Sequence, residues 1–561
     1  MTLTSMKNNF IKKFFLCVMF LPDCELYKYK QSGNTEKGLN KMKKLIVIIM
    51  LVVAMVTLSA CGNSSPTSDM SETPSTPSDS GTQDSGAPPA GGYWDSEQDF
   101  SYDGEKYLDI VEGGKIYTDE DAKATFSLKV DTAAFTNVQR YINDGMLPPV
   151  NAVRTEELIN YFNYEGHAER VGNSPFSLYT EVGPSPFDAD KELAFIRVKT
   201  DEIDKEELPP SNLVFLIDTS GSMDSYDKLP LLQDSFSMLV DTLDENDRVS
   251  IVTYAGNSSI IARGVSGDSK NKLNAAIYDL YAGGSTAGAK GIHTAYEIAK
   301  TCFIKGGNNR VILATDGDFN VGISDIDSLS KFISEKRSDG IYLSVLGFGT
   351  GNIRDDIMET LAKDGNGNYS YIDTKQTAKK VLVNELGANM FTVADDVKAQ
   401  IEFNPDTVKS FRLIGYENRV MNHEDFTDDR KDAGEIGAGA DVIVLFEIDV
   451  VGSSGKLFDV NIRYKDPGEN ESKALSVPVS VNDILAENTT DYYFASTVAV
   501  FGDMLRNPDT VSGEQVEKLI SKTKANLGKD RDGYRADYLN LLYSYGSQYD
   551  VVNATRSYWD D

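Results

Sequence analysis

The residues of this 561-residue chain best suited to chemistry fall in three short segments: Asp218-Thr219-Ser220-Gly221-Ser222, Gly283-Gly284-Ser285-Thr286 and Thr315-Asp316-Gly317. The first directly follows the apolar run from Leu213 to Ile217, the third follows the run from Val311 to Ala314, and the second precedes a helical pattern. Asp218, Ser220, Ser222, Thr286 and Asp316 thus offer two carboxylates and three hydroxyls, an oxygen-only set suited to a hard divalent cation. Mg2+ is the expected ion, with Mn2+ or Ca2+ as alternatives that the residue types do not separate. If the three hydroxyls coordinate directly and the carboxylates act partly through water, the ion's charge stays incompletely quenched and attracts a further carboxylate. Gly221 lets the first loop turn tightly past the ion. On its own, the first segment reads equally well as a helix N-cap after a strand. Three such segments in order favour the metal.

Other reactive groups are sparse. His167, His293 and His423 are too far apart for a metal-ligand spacing, and with Cys17, Cys24, Cys61 and Cys302 no disulfide can form within the chain beyond Cys61. His293 and Cys302 share one predicted helix and read as structural. Asp224, Asp227 and Asp318 read as solvated loop acids. No P-loop and no nucleophile elbow are visible, and Ser220 stands where a phosphotransferase would carry a second acid after Asp218.

The elements needed to present these loops are legible as pattern. Continuous apolar strands alternate with helical periodicity from 212 to 390, which predicts a doubly wound, mostly parallel α/β sheet covered on both faces. The expected strands include 249–254, 342–346 and 369–372, and the expected helices lie from Lys228 onward and near 270–281, 288–304, 325–337, 354–363 and 375–390. Before this domain, FSLKV at 126–130, a helix opened by Asp131-Thr132, a second over 152–162 and two strands over 176–182 and 192–199 are predicted. After it, strands separated by polar turns predict a β-sandwich over 391–483, joined by the strands of 172–211. Helices over 490–505, 514–527 and 534–545 predict a C-terminal helical region over 484–561, with Tyr534, Tyr538, Leu541, Leu542 and Tyr545 on a core-facing side.

The N-terminus reads as an address. Lys41 to Gly62, KMKKLIVIIMLVVAMVTLSACG, has a basic start, an apolar run and small residues before a cysteine. That is an export signal with a lipobox-like Leu58-Ser59-Ala60-Cys61, making Cys61 the expected lipidated residue and placing the folded part outside the cytoplasm. An uncleaved membrane anchor is the alternative. Residues 1–60 form this signal region, of which 1–41 read as an overlong start or a genuine extension. Residues 61–92 read as the lipidated cysteine and a Ser/Pro/Gly-rich disordered linker, and 93–171 as an N-terminal helical segment. With 86 acidic against 55 basic residues the net charge is −31, which disfavours nucleic acid as a partner.

The three loops together resemble the metal-ion-dependent adhesion site (MIDAS) of von Willebrand factor type A (VWA) domains, with the D-x-S-x-S, Thr and Asp elements in order. Segments outside the α/β core, FSLKVDTAAFTNVQRYINDGMLPPVNAVRTEELINYF, GYENRVMNHEDFTDDRKDAGEIGAG and DRDGYRADYLNLL, resemble bacterial VWA lipoproteins of the YfbK-like family, over about residues 100–545. The resemblance implies that a protein partner supplies an Asp or Glu to the metal, and that the site binds rather than catalyses. It also implies a last helix, here 375–390, that moves when the metal is engaged. The expected function is therefore that of an envelope protein held to the membrane by its lipid. A Mg2+-dependent hydrolase or phosphotransferase using the same crevice and an inert structural lipoprotein are the alternatives.

Overall fold

The strand Ser211–Asp218 is buried along its whole length, and its alternating side chains feed two separate cores. Leu213, Phe215 and Ile217 point into one; Val214 and Leu216 point into the other. The period of two along a strand makes both faces of the sheet apolar here, so both must be covered. In the computed structural model, which describes residues 104–204, 207–284, 288–317 and 326–557, this strand lies near the middle of a six-stranded sheet. The order across the sheet is Tyr369–Ile372, Tyr342–Phe348, Asn308–Thr315, Ser211–Asp218, Arg248–Tyr254 and Ser258–Ser266. Neighbours are parallel except the last pair. Chain order reverses direction between Ser211–Asp218 and Asn308–Thr315. That is the switch point of a doubly wound sheet, where strand ends leave a crevice.

Helices Leu229–Thr242 and Lys270–Tyr278 pack on one face, and Gly288–Thr301, Ile326–Ser338 and Asp355–Asp364 on the other. The edge strand Ser258–Ser266, half-exposed and therefore poor in the apolar signal, is an element the sequence reading omitted. The helix expected over 375–390 is broken: Lys375–Lys379 is α-helical, Lys380–Asn384 widens into a π turn, and Leu386–Met390 resumes the α form. Within the wide turn Lys380 is buried, ion-paired with Glu385, its ammonium 4.7 Å from the ring centres of Tyr161 and of Tyr534. A π turn inside a helix commonly serves to place one side chain that the regular spacing would misdirect.

A second six-stranded sheet, fully antiparallel, joins strands from both sides of the α/β unit: Ile116–Tyr117, Val408–Ile414, Asp441–Val450, Glu192–Thr200, Phe176–Pro184 and Glu169–Arg170. It faces a five-stranded sheet built around Thr392–Phe403, which pairs with Lys123–Ser127, Lys456–Lys465 and Ile436–Gly437, with Ser472–Ser480 beyond. Phe176, Ile196, Phe403, Phe446 and Phe458 from the two sheets share one core, the interior of a sandwich. The strand Lys123–Ser127 begins three residues before its apolar run FSLKV at 126–130 and ends at Ser127.

The other side of the antiparallel sheet is closed by helices Ala133–Asn143, Thr155–Asn160, Thr490–Arg506, Gly513–Ala525 and Tyr534–Ser557. Phe135, Phe162, Phe494, Phe501 and Tyr538 join Phe195 and Leu445 of the sheet in one aromatic core. The N-terminal and C-terminal helices therefore bury their apolar sides together. The helix expected over 152–162 is shorter than its pattern, split into a 3-10 turn Val150–Ala152 and the helix Thr155–Asn160. Among the described residues no helix is long and apolar enough to cross a membrane.

Candidate metal centre

Asp218 and Asp316 leave the carboxyl ends of adjacent strands on either side of the switch point, and both are fully buried. Asp218 caps its own loop by accepting the Ser220 backbone N–H at 2.8 Å. Its second oxygen accepts the Thr315 hydroxyl at 3.4 Å. Burial, with the nearby charge of Asp316, pushes the Asp218 carboxyl up to about 6 despite the Ser220 hydrogen bonds that favour its anion. Beside it Tyr254 is buried, and its phenol is pushed well above the ordinary range by burial and by Asp218. Ser220 is buried and Ser222 exposed, with their hydroxyls 2.9 Å apart.

The middle loop is tied to the first. The Gly221 N–H donates to the Gly284 carbonyl at 3.1 Å and the Gly283 N–H to the Thr219 carbonyl at 2.8 Å. Thr286, expected to complete the donor set, lies outside the described residues, as do Asp318 and Cys61. Asp224 is exposed and Asp227 half-buried, accepting a local hydrogen bond from Ser225, as solvated loop acids do. His293 packs its ring 4.2 Å from that of Phe332, and Cys302 is a buried free thiol.

Sequence reading missed a buried cation beside Asp316. The Lys228 ammonium donates to Asp316 Oδ2 at 2.9 Å and to Asn352 Oδ1 at 3.4 Å. The only sequence signal was a cation at the start of a helix, where it is electrostatically misplaced. The loop 349–354 that carries Asn352 forms a wall of the crevice. A Cβ added at Gly317, whose φ is +104°, would lie 2.6 Å from the Arg354 nitrogen and 2.7 Å from the Asn352 carbonyl oxygen, so only glycine lets Asp316 enter the site here. From behind, the wall is held by the buried Glu105, which accepts the Gly351 N–H at 2.9 Å and two bonds from Arg140 at 3.0 and 2.9 Å. The Lys106 N–H adds a bond to the Ile353 carbonyl at 2.9 Å.

The donor set fits a small hard cation. The 2.9 Å between the Ser220 and Ser222 hydroxyls matches the edge of about 3 Å between neighbouring ligands of an octahedron with metal–oxygen bonds of about 2.1 Å. Among the described residues no group of three or more His, Cys, Asp or Glu is placed to hold a metal.

Comparison with known proteins gives matches over most of the chain. The family model for the von Willebrand factor type A domain matches residues 212–385, one described as von Willebrand factor matches 101–194, and one described as the C-terminal part of uncharacterized protein YfbK matches 388–460 and 452–547. YfbK of Escherichia coli (strain K12) is 41% identical over 445 residues, which cover 75% of this chain and 77% of that protein. The chain belongs to the YfbK family. A second relative of this YfbK-family chain, protein sll0103 of Synechocystis, is 25% identical over 60% of the chain and 79% of its own length. Among solved structures a von Willebrand factor type A protein from Catenulispora acidiphila matches with a TM-score of 0.39 at 14% identity, covering 68% of this chain and 91% of the other. The family relation identifies residues 212–385 as a VWA domain, a protein-interaction module of a kind that commonly binds a divalent metal at a MIDAS.

Proposed function

We propose that this YfbK-family chain is an extracytoplasmic binding protein, tethered through a lipid on Cys61, that takes a divalent cation at Asp218, Ser220, Ser222, Thr286 and Asp316. Through that cation it holds an Asp or Glu of a protein partner. The observation that carries the reading is the pair of fully buried carboxylates at the switch point, beside two hydroxyls 2.9 Å apart that open to the surface at Ser222. Burying two acids this close calls for positive charge beside them, a role that the Lys228 ammonium fills at Asp316 and that a divalent cation would fill for both. A bound Mg2+ would supply an electrophilic centre for one further oxygen ligand. The protein residues do the rest: Asp218 and Asp316 set the charge, the loop bond from Gly221 to Gly284 holds two ligand segments in register, and buried Tyr254 and Thr315 keep the inner side dry.

A metal-dependent pull-down from the organism's own envelope fraction tests the reading. A partner retained in Mg2+, released by chelation and lost with Ser220→Ala is the expected result. Retention that is indifferent to chelator and to Ser220→Ala excludes a metal-mediated partner.

A further inference from the structure

Lys228 is a buried cation in a position that its own helix does not explain. It is the N-cap residue of Leu229–Thr242 and makes no side-chain cap hydrogen bond; a positive charge there opposes the helix dipole. Its side chain is instead drawn inward, 10% exposed, with the ammonium 2.9 Å from Asp316 Oδ2 and within reach of Asn352. Room for the stem comes from Gly349, whose φ is +72° and where an added Cβ would fall 2.2 Å from Lys228 Cε and 2.4 Å from Cγ. A glycine in the wall and a lysine at a helix start therefore combine to deliver one positive charge to one proposed metal ligand.

We propose that Lys228 tunes the crevice: its ammonium neutralises Asp316, weakens the hold on a divalent cation, and leaves a bound ion enough charge to attract a partner's carboxylate. The inference rests on the metal-site reading above and adds to it a residue that sets affinity. Asp218, Asp316 and the ammonium together sum to one net negative charge; the two carboxylates without the ammonium sum to two. Charge interactions at about 4 Å amount to several kT even at the effective dielectric of a partly buried site, so the difference is measurable. A lysine retained only to relieve two crowded acids would also stabilise the empty fold, and metal affinity separates the two roles.

The test uses the full chain, with Mg2+ alone as probe, titrated by calorimetry, and with unfolding temperature followed with and without Mg2+. Lys228→Met is expected to bind Mg2+ at least tenfold more tightly than wild type, to melt lower without metal, and to gain more from Mg2+. Lys228→Gln, which keeps a donor on Asp316 but no charge, is expected to tighten binding in the same direction, and Lys228→Arg to stay within about threefold of wild type. Equal or weaker Mg2+ binding by both neutral variants overturns the proposal while leaving the metal site standing. A wild type that takes up no Mg2+ and shows no Mg2+-dependent melting overturns the metal reading itself, and the proposal with it.

Discussion

Two places in this molecule bury several carboxylates together, and they differ in what neutralises them. At the junction between the VWA domain and the segments flanking it, Asp131, Glu157, Asp355 and Glu359 meet Arg154 and Arg419. Arg154 donates to Asp355 at 2.6 and 3.2 Å and to Glu157 at 2.5 Å, and every one of these side chains is buried. Planar guanidinium groups, each shared between acids, pair with them from within. At the strand ends, Asp316 meets the Lys228 ammonium, and Asp218 lies beside a set of hydroxyls that reach the surface at Ser222. The first cluster is closed by the chain itself and holds segments together. The second reaches the surface at Ser222, where the proposed cation would enter.

The comparison is broken most severely at Arg154. Arg154→Met strands Asp355 and Glu157, and is expected to cost about 3–5 kcal/mol in urea unfolding, since losing one partner of a buried ion pair leaves the other uncompensated. A loss below about 1 kcal/mol would mean that the cluster is not the structural joint described. Gly317→Ala acts on the other region. Its positive φ and its approach to the 349–354 wall predict a strain of about 1–3 kcal/mol together with weaker Mg2+ binding. Unchanged metal affinity would show that the wall does not position Asp316.

A third measurement sharpens the contrast through pH. Burial, opposed by Arg154, pushes the Glu157 carboxyl up to about 8. An acid whose folded pKa exceeds its unfolded value near 4.3 keeps its proton longer in the fold, so the stability it contributes is full below that value and is lost as pH rises toward about 8. Glu157→Gln is expected to flatten the fall of stability between about pH 5 and 8, read by unfolding across that range. A slope equal to that of wild type would assign the burden to another acid. The smallest effect belongs to an exposed pair: Arg170→Ala, which removes the 2.8 Å contact to Asp201 on the open edge of the antiparallel sheet, is expected to change stability by less than about 1 kcal/mol. A larger loss would place weight on surface charge that the comparison denies.

How far the sequence disclosed all this follows from range. Strands such as Ser211–Asp218, buried on both sides, announce themselves as apolar runs, and the loops that follow them carry Asp218 and Asp316 in plain view. The edge strand Ser258–Ser266 has Ile260 and Ile261 about two-fifths exposed and lacks clean alternation, so periodicity does not find it. The π turn at Lys380–Asn384 sets Lys380 against Tyr161 and Tyr534, which come from remote parts of the chain. Lys228, Asn352 and Glu105 escaped for the same reason. Their roles arise from pairing across the fold, with Asp316, Lys228 and Gly351 respectively, and no local spacing encodes them.

Calorimetric titration of Mg2+ into the wild-type chain and into Asp218→Ala tests the central claim most directly. A saturable isotherm near one ion per chain that disappears in the variant is predicted. Identical isotherms, or none in either protein, would contradict a cation held at the ends of these two strands.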